Sequence, residues 1–482
     1  MGPEALSEST DGNIVTPLID GKVYMKRWHD ELLGLHGQPN AEFFYGAWRF
    51  DGVKTLGLTV PGTDALEDVN DADTAGVPTY LMLSRHAAGL NANSLSVLWL
   101  RAHFVWKACT DNRYPNGGSN HQKFAVFKCS NFATCILGSI DINKDRWDSP
   151  LHPVTDLDRP ARRMTHDTGV AIQGPAVGDV EKHFRQRWND STRTFGLEPL
   201  PPTQPLITSS PANFSVGGTH SIQVLQTYGI TSKIFGYSWS PRGEFTVWAS
   251  YLNAIKQASS YIYIEDQYFL TFDWPPCFSR TGLARDTDLV YQLGEALRRG
   301  VKITIVMPSE SEDFPAVRNR QKYQRDVAVN YLNSIVLGGA PGELVVASLQ
   351  SSGTNVYVHS KLMLVDDEFV LIGSTNIGQR SMTHDGELHV GVVDANNTFA
   401  KEFRKEIQAE HTSRAAATLD DPVVAFGLFR TDTVASSGHL KPYPVDSLSV
   451  YPAGPGTNPP PRGHSSTIRN LVDPYAGPPG IR

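Results

Sequence analysis

A chain of 482 residues, 40% of them hydrophobic, is long enough for a sizeable core and too long for one ordinary domain, so two domains or one duplicated body are expected. A formal net charge of −7 argues against a protein that holds nucleic acid by a general excess of Lys and Arg, and no stable nucleic-acid partner is expected. Four scattered cysteines, Cys109, Cys129, Cys135 and Cys277, exclude a disulfide scaffold and show no paired zinc spacing.

The first residues, MGPEALSESTDGN, are polar and acidic, without the basic and apolar regions of a signal peptide. Leu6 stands where a myristoylation signal needs Ser or Thr. With no membrane span visible, a cytoplasmic or secreted chain is expected. Ala41–Asp51 and Leu95–Phe104 read as buried strands: short, rich in aromatic or β-branched residues, and flanked by polar turns. Cys129 and Cys135 bracket a hairpin loop, where free thiols are favoured over a bridge. Val177–Asp190 has helical spacing of Val180, Phe184 and Trp188, with basic residues late. Pro, Ser and Gly then mark a linker over residues 196–218. A helix in TVWASYLNAIKQASS precedes a strand in YIYIEDQYFL, and a second helix runs through Gly300 into KITIV. This alternation predicts an α/β architecture. The expected division is an N-terminal lobe over 1–195, a C-terminal lobe over 219–430 and a Pro/Gly-rich tail over 431–482.

An internal repeat is the strongest signal. The first half carries His121-x-Lys123, then Gly138-Ser139-x-Asp141. The second carries His359-x-Lys361, then Gly373-Ser374-x-Asn376. Downstream, THDTGVAI (Thr165–Ile172) is echoed by THDGELHV (Thr383–Val390). Each His-x-Lys borders an apolar run with strand character, KFAVF or KLMLV, where residues two apart share a face. The following strand returns Gly-Ser-x-Asp/Asn beside them. If the halves meet, two imidazoles, two ammonium groups and several neutral donors form an anion pocket suited to phosphate. Paired histidines also suit a two-step displacement: one attacks phosphorus, and the other protonates the leaving oxygen and then activates the acceptor. Each needs a carboxylate to fix its tautomer, and Asp167, Asp385 and Glu387 are the candidates. No metal and no cofactor are expected.

These residues resemble the phospholipase D superfamily, whose signature is His-x-Lys-x4-Asp followed by Gly-Gly/Ser-x-Asn/Asp, present twice. The second copy matches with His359, Lys361, Asp366, Gly373, Ser374 and Asn376. GSIDINKDRWD, the segment from Arg162 to Asn189, YLNAIKQASSYIYIEDQYFL and GSTNIGQRSM are similar to segments of eukaryotic and plant-type members. Similarity covers roughly residues 40–410, without room for accessory lipid-binding modules. The resemblance implies two pseudo-symmetric α/β lobes, mixed sheets flanked by helices, and a site in the cleft between them. It implies that His121 is the nucleophile and His359 the acid/base, with Asp366 in the catalytic set. Lys123, Lys361, Ser139, Asp141, Ser374 and Asn376 would line the phosphate pocket. The implied reaction is phospholipid head-group hydrolysis, with transfer to alcohols, by a monomer in transient contact with a membrane surface.

There are departures. Lys128 replaces the first copy's Asp, and its hairpin is three residues longer. Lys128 falls on the strand face opposite His121 and Lys123, so a structural effect is expected. Thr165 replaces a Trp. The alternative function is a diverged phosphodiesterase or phosphotransferase acting on a soluble metabolite or nucleic acid. Retention of both His and both Lys argues against a non-catalytic scaffold.

Overall fold

In the first half the apolar runs become β1 (Thr10–Ile19), β2 (Glu42–Ala47), β3 (Thr79–Ser84), β4 (Ala108–Asp111), β5 (Phe124–Lys128), β6 (Ala133–Gly138), β7 (Met164–His166) and β8 (Thr168–Gln173). The computed structural model describes residues 8–447 except 85–89, 104–106, 112–117, 162, 191–205, 230–236, 238, 242, 271–286 and 312–314. Seven of these strands form one mixed sheet in the order β4-β3-β2-β5-β6-β8-β1. The first three are parallel to one another, and every later pairing is antiparallel.

The second half repeats the plan. Its strands are β9 (His220–Tyr228), β10 (Glu244–Phe245), β11 (Tyr261–Asp266), β12 (Lys302–Val306), β13 (Glu343–Ser351), β14 (Thr354–Val358), β15 (Lys361–Val365), β16 (Phe369–Gly373), β17 (Glu387–Asp394) and β18 (Leu440–Pro442). Their order β13-β12-β11-β15-β16-β17-β9 keeps the same parallel and antiparallel pairings. The helices follow suit. In the first half they are α1 (Asp20–Gly34), α2 (Ala65–Thr74), α3 (Leu90–Ala102) and α4 (Ala176–Trp188). The second has α5 (Thr246–Gln257), α6 (Leu289–Arg298), α7 (Pro315–Leu337), α8 (Gln379–Thr383), α9 (Phe399–Thr412) and α10 (Pro422–Ala435).

Both faces of each sheet are covered, so its strands read as nearly continuous apolar runs. Along β2, Phe43 and Tyr45 join a core with Trp28 of α1, while Phe44 faces Phe184 and the other core. Along β15, Leu362 and Leu364 join that same second core, and Met363 and Val365 pack toward α5, α6 and α7. Each large apolar side chain buried in this way contributes roughly 1.5–3 kcal/mol. One core draws residues from both sheets, among them Val126, Val170, Val224 and Val390.

Backbone pairing also locks the halves together. β1 pairs with β9, and β7 runs parallel to β14 with His166 opposite Val358. Asn120 bridges in parallel to Gly386.

Two sequence expectations need correction. Leu95–Phe104 falls largely in helix α3, not in a strand: Asn93, Val97 and Leu100 are buried while Leu95 and Leu98 face outward, a helical spacing. The tail does not start at residue 431. Residues 422–435 are helical, β18 pairs with β13, and the Tyr443 hydroxyl donates to Asp326 at 2.9 Å. The described chain ends at 447, and the rest of the expected tail lies outside it. Cys109, Cys129 and Cys135 are free thiols; Cys277 and most of the linker fall outside the described residues. No helix among the described residues is long and apolar enough to cross a membrane.

Candidate active site

His121 and Lys123 lie just ahead of β5, and His359 and Lys361 lie at the head of β15. All four side chains are buried. Each lysine folds back on its own motif: Lys123 Nζ donates to the His121 carbonyl at 2.6 Å, and Lys361 Nζ donates to that of His359. Lys123 also faces Asp141 at 3.5 Å, and Lys361 donates to Gln267 at 2.9 Å.

Each histidine is oriented by the opposite half. His121 N donates to Gly386 O at 2.9 Å, and His359 N donates to His166 O at 2.8 Å. The next residue in each case is the carboxylate that meets the imidazole. Glu387 lies 3.0 Å from His121 Nδ1, and Asp167 lies 2.8 Å from His359 Nδ1. Each carboxylate is held in turn by a serine from its own half. Ser374 Oγ donates to Glu387 at 2.5 Å, and Ser139 Oγ donates to Asp167. The glycines before those serines have a steric cause. A Cβ on Gly138 would fall 2.5 Å from Gly169 Cα, and one on Gly373 would fall 2.3 Å from Leu388 O. Only Gly allows the strands to meet this closely.

One difference separates the two imidazoles. His121 Nδ1 also lies 3.0 Å from the Ser374 carbonyl. A carbonyl only accepts, so Nδ1 carries the proton and Nε2 keeps its lone pair. His359 has the Asp167 carboxylate and, 4.0 Å from that carboxylate, the Arg146 guanidinium.

Burial, then Lys123, Lys361 and Arg380, holds His121 well below the usual imidazole range. Burial, then Arg146 and the same lysines, does this to His359. Burial brings Lys361 down to about 7 and lowers Lys123 as well. Burial raises Asp167, and burial with Asp385 raises Glu387 well above the carboxylate range. Burial is the largest cause in each case, so the charges of the site are held in a poorly solvated pocket. Asn376 is buried, and neither its amide nitrogen nor its oxygen has a hydrogen-bond partner among the described residues.

The candidate residues thus sort themselves. His121, Lys123, His359, Lys361, Asp167, Glu387 and Asp141 come together, and Asn376 is buried two residues beyond Ser374. Ser139 and Ser374 were expected against phosphate, but their hydroxyls are directed to Asp167 and Glu387. Asp385 meets neither imidazole; it accepts from Ser119 N at 2.7 Å and from Arg380 at 3.2 Å. Asp366, expected in the catalytic set, sits past the far end of β15. With φ +54° it turns the chain and accepts from the backbone of Ser259, Ser260 and Tyr261 at 2.8–2.9 Å. Lys128 has the same place on β5. It binds Glu181 at 2.8 Å, Glu42 at 2.9 Å and Ser210 O at 2.8 Å, away from the imidazoles.

Sequence reading missed several neighbours. Trp48 stands edge-on to His121, with ring centroids 6.2 Å apart, and Lys123 lies 5.7 Å from its ring. Gln267 links Lys361 to the Tyr357 hydroxyl at 2.9 Å. Beneath Asp167 lies a buried cluster: donor atoms of Asp20, His152, His166 and Glu410 fall within 4.8 Å of one another, as do those of His166, Glu265 and His411. Burial pulls His166 down, but Glu265, Glu410 and Asp20 outweigh it and hold it well above its ordinary value. This set could hold either protons or a divalent cation. Its members are spread from residue 20 to residue 411, which is why no metal spacing shows in the sequence.

Residues 251–410, which hold the second motif, match a family described as cardiolipin synthase, PLD-like domain. Phospholipase D gamma 3 of Arabidopsis thaliana is 26% identical, covering 60% of this chain and 46% of its own length. Phospholipase D alpha 1 of Brassica oleracea var. capitata is 24% identical over 74% of this chain and 56% of its own. The chain therefore spans about half the length of these relatives. The crystal structure of phosphatidylserine synthase from Haemophilus influenzae superposes with a TM-score of 0.53 at 12% identity, covering 82% of this chain and 85% of that one, a likeness of fold.

Proposed function

We propose that the chain is a member of the phospholipase D superfamily and a metal-independent phospholipase D, releasing the head-group alcohol of a phospholipid through a phosphohistidine. The observation that carries this reading is the reciprocal anchoring of two buried imidazoles, each by a serine-held carboxylate of the opposite half, between two buried lysines.

The tautomer set by Ser374 O leaves His121 Nε2 free to attack phosphorus. The phosphorus–oxygen bond to the head group breaks as a phosphorus–nitrogen bond forms. The leaving oxygen takes its proton from His359, whose imidazolium is stabilised by Asp167. An incoming phosphate monoanion opposes the cations that hold His359 low, so substrate binding favours uptake of that proton. Water then gives a proton to His359 and its oxygen to phosphorus, and the phosphorus–nitrogen bond breaks. Phosphatidic acid leaves; an alcohol in place of water yields a phosphatidyl alcohol. Lys123, Lys361 and Asn376 hold the phosphoryl oxygens.

The test is head-group release from phosphatidylcholine in the presence of ethanol and EDTA, beside His121→Ala and His359→Ala. Release with phosphatidylethanol formed, and a loss of about 10³-fold or more in both variants, is expected. Near-full activity in either variant refutes the two-histidine mechanism. Cleavage of bis(p-nitrophenyl) phosphate without lipid turnover moves the substrate to a non-lipid phosphodiester.

A further inference from the structure

Asp167 lies in a one-residue break between β7 and β8, yet its carboxylate must arrive 2.8 Å from His359 Nδ1. Glu387, its equivalent, sits inside β17 opposite Thr227 of β9, so strand pairing fixes its backbone. For Asp167 the ladders stop short on both sides. β7 pairs with β14 as far as His166, and β8 pairs with β1 from Thr168, which stands opposite Ile19. The residue after Ile19 supplies the substitute. Asp20 N donates to Asp167 O at 2.8 Å, and Asp167 N donates to Asp20 Oδ1 at 3.0 Å. Both backbone polar groups of Asp167 are thus taken by one residue, and both residues are fully buried.

Asp20 reaches this position with φ +64°. A non-glycine residue in that region is uncommon, and such residues gather where a site fixes them. The turn directs its N–H and its carboxylate to the same partner. Further contacts brace it. A Cβ on Gly21 would overlap Arg146 O, so the turn packs directly on that backbone, and Lys22 N donates to Asp148 O at 2.8 Å. Asp20 Oδ1 lies 3.1 Å from His166 Nδ1, and Oδ2 lies 3.6 Å from His152 Nε2. His166 in turn accepts the His359 N–H on its carbonyl at 2.8 Å. Two consecutive residues, His166 and Asp167, therefore hold His359, and Asp20 contacts both. The second half is built differently: its matching helix α5 begins with Thr246, whose hydroxyl bonds the backbone of Gln226 in β9.

We propose that Asp20 is a positioning residue for His359, holding the backbone of Asp167 so that its carboxylate meets Nδ1. The inference rests on the reading of His359 as the acid/base, and one arm of its test needs no turnover. The full chain is compared with Asp20→Asn and Asp20→Gly. Both replacements tolerate φ +64°, and both remove the charge beside His152 and His166, so both should unfold at lower temperature. Only Asn keeps an oxygen for Asp167 N. Activity per folded molecule should follow that oxygen and not stability. On phosphatidylcholine, Asp20→Gly should lose roughly 10–100-fold in kcat with KM unchanged, and Asp20→Asn should recover most of that loss. On bis(p-nitrophenyl) phosphate the first p-nitrophenolate leaves without a proton. Its rate should hold in Asp20→Gly, while later turnovers, which need His359 to activate water, slow. The proton between His359 Nδ1 and Asp167 is followed by its downfield NMR resonance, assigned by its loss in His359→Ala. It should persist in Asp20→Asn and vanish in Asp20→Gly.

Equal activity per folded molecule in the two variants overturns the proposal. So does an equal slowing of the first turnover, because Asp20 then acts on the whole site and not through His359. A resonance absent from the parent chain, or retained in Asp20→Gly, also overturns it. If Asp20→Gly does not fold, Asp20→Ser, whose hydroxyl is one bond shorter than the carboxylate, is read in the same way. A parent chain that cleaves no phosphodiester but loses the resonance only in Asp20→Gly refutes the acid/base reading and leaves the positioning of the imidazole standing.

Discussion

Asp167→Asn and Glu387→Gln should not be equivalent, although the two carboxylates occupy matching places. Among the described residues, Asp167 is the one group that holds His359 Nδ1, at 2.8 Å. Its amide removes a charge-assisted hydrogen bond, a loss of about 1.5–3 kcal/mol, or one to two decades of rate. The amide can also donate to Nδ1, favouring the tautomer that cannot accept a proton from the acceptor hydroxyl and return it. Together these effects predict a loss of roughly 10³–10⁴-fold. Glu387→Gln replaces the carboxyl group near His121 by an amide, but the Ser374 carbonyl at 3.0 Å still enforces the Nδ1–H tautomer. That variant should lose only about 10–10². The assay is steady-state cleavage of a soluble phosphodiester, with thermal unfolding to confirm that both variants fold. Equal losses, or a larger loss for Glu387→Gln, would refute the argument that the carbonyl sets the tautomer of His121.

Other expectations concern the frame. Lys128→Met should cost about 2–3 kcal/mol, below the usual penalty for breaking a buried pair, because Glu181 keeps Arg185 and the Ala212 N–H. Lys128→Asp should cost more, since the new carboxylate faces Glu42 and Glu181; in both variants the folded fraction should turn over normally, which chemical denaturation with activity per folded molecule checks. Gly373→Ala drives a Cβ into Leu388 O and displaces Ser374 and Glu387. It should lower stability and activity together, by several kcal/mol and more than tenfold, measured by calorimetry and kinetics. Stability should fall in acid. His183 and His389, held by burial at about 3, are neutral when folded and protonate on unfolding, so their contribution is lost as pH drops below 6.5. Above that range two groups oppose each other: His152, pulled down by burial but raised to about 10 by Asp20, Asp148 and Glu410, loses its contribution as pH rises from 6.5 to 10, while Lys361, brought down to about 7 by burial, adds stability from pH 7 upward. Melting temperatures across this range test it, and a value that holds steady from pH 6.5 to 4 contradicts it.

The two motifs, their order and the strands beside them were legible because strand alternation and a duplicated pattern are local properties of a chain. The face of Lys128 followed from parity alone. Helix α3 was misread because a short apolar run suits either a strand or a half-buried helix, and only its packing partners choose. The tail was misplaced because Pro and Gly composition does not reveal that β18 finds an edge on β13.

The THD echo was informative but out of register. It aligns Asp167 with Asp385, whereas Asp167 and Glu387 are the equivalent groups that meet the two imidazoles. A two-residue slip keeps the strand face, so the sequence pattern could not detect it. What the sequence determined by itself was the inventory: two imidazoles, two ammonium groups, and the glycines that admit close strands. The tertiary structure decided the pairings. Each imidazole is positioned by a carboxylate from the other half, and those partners stand 192 and 266 residues away. No local propensity specifies a contact of that range. It appears only when β7 pairs with β14 and Asn120 pairs with Gly386, because the backbone bonds that join the halves also set the carboxylates beside the rings.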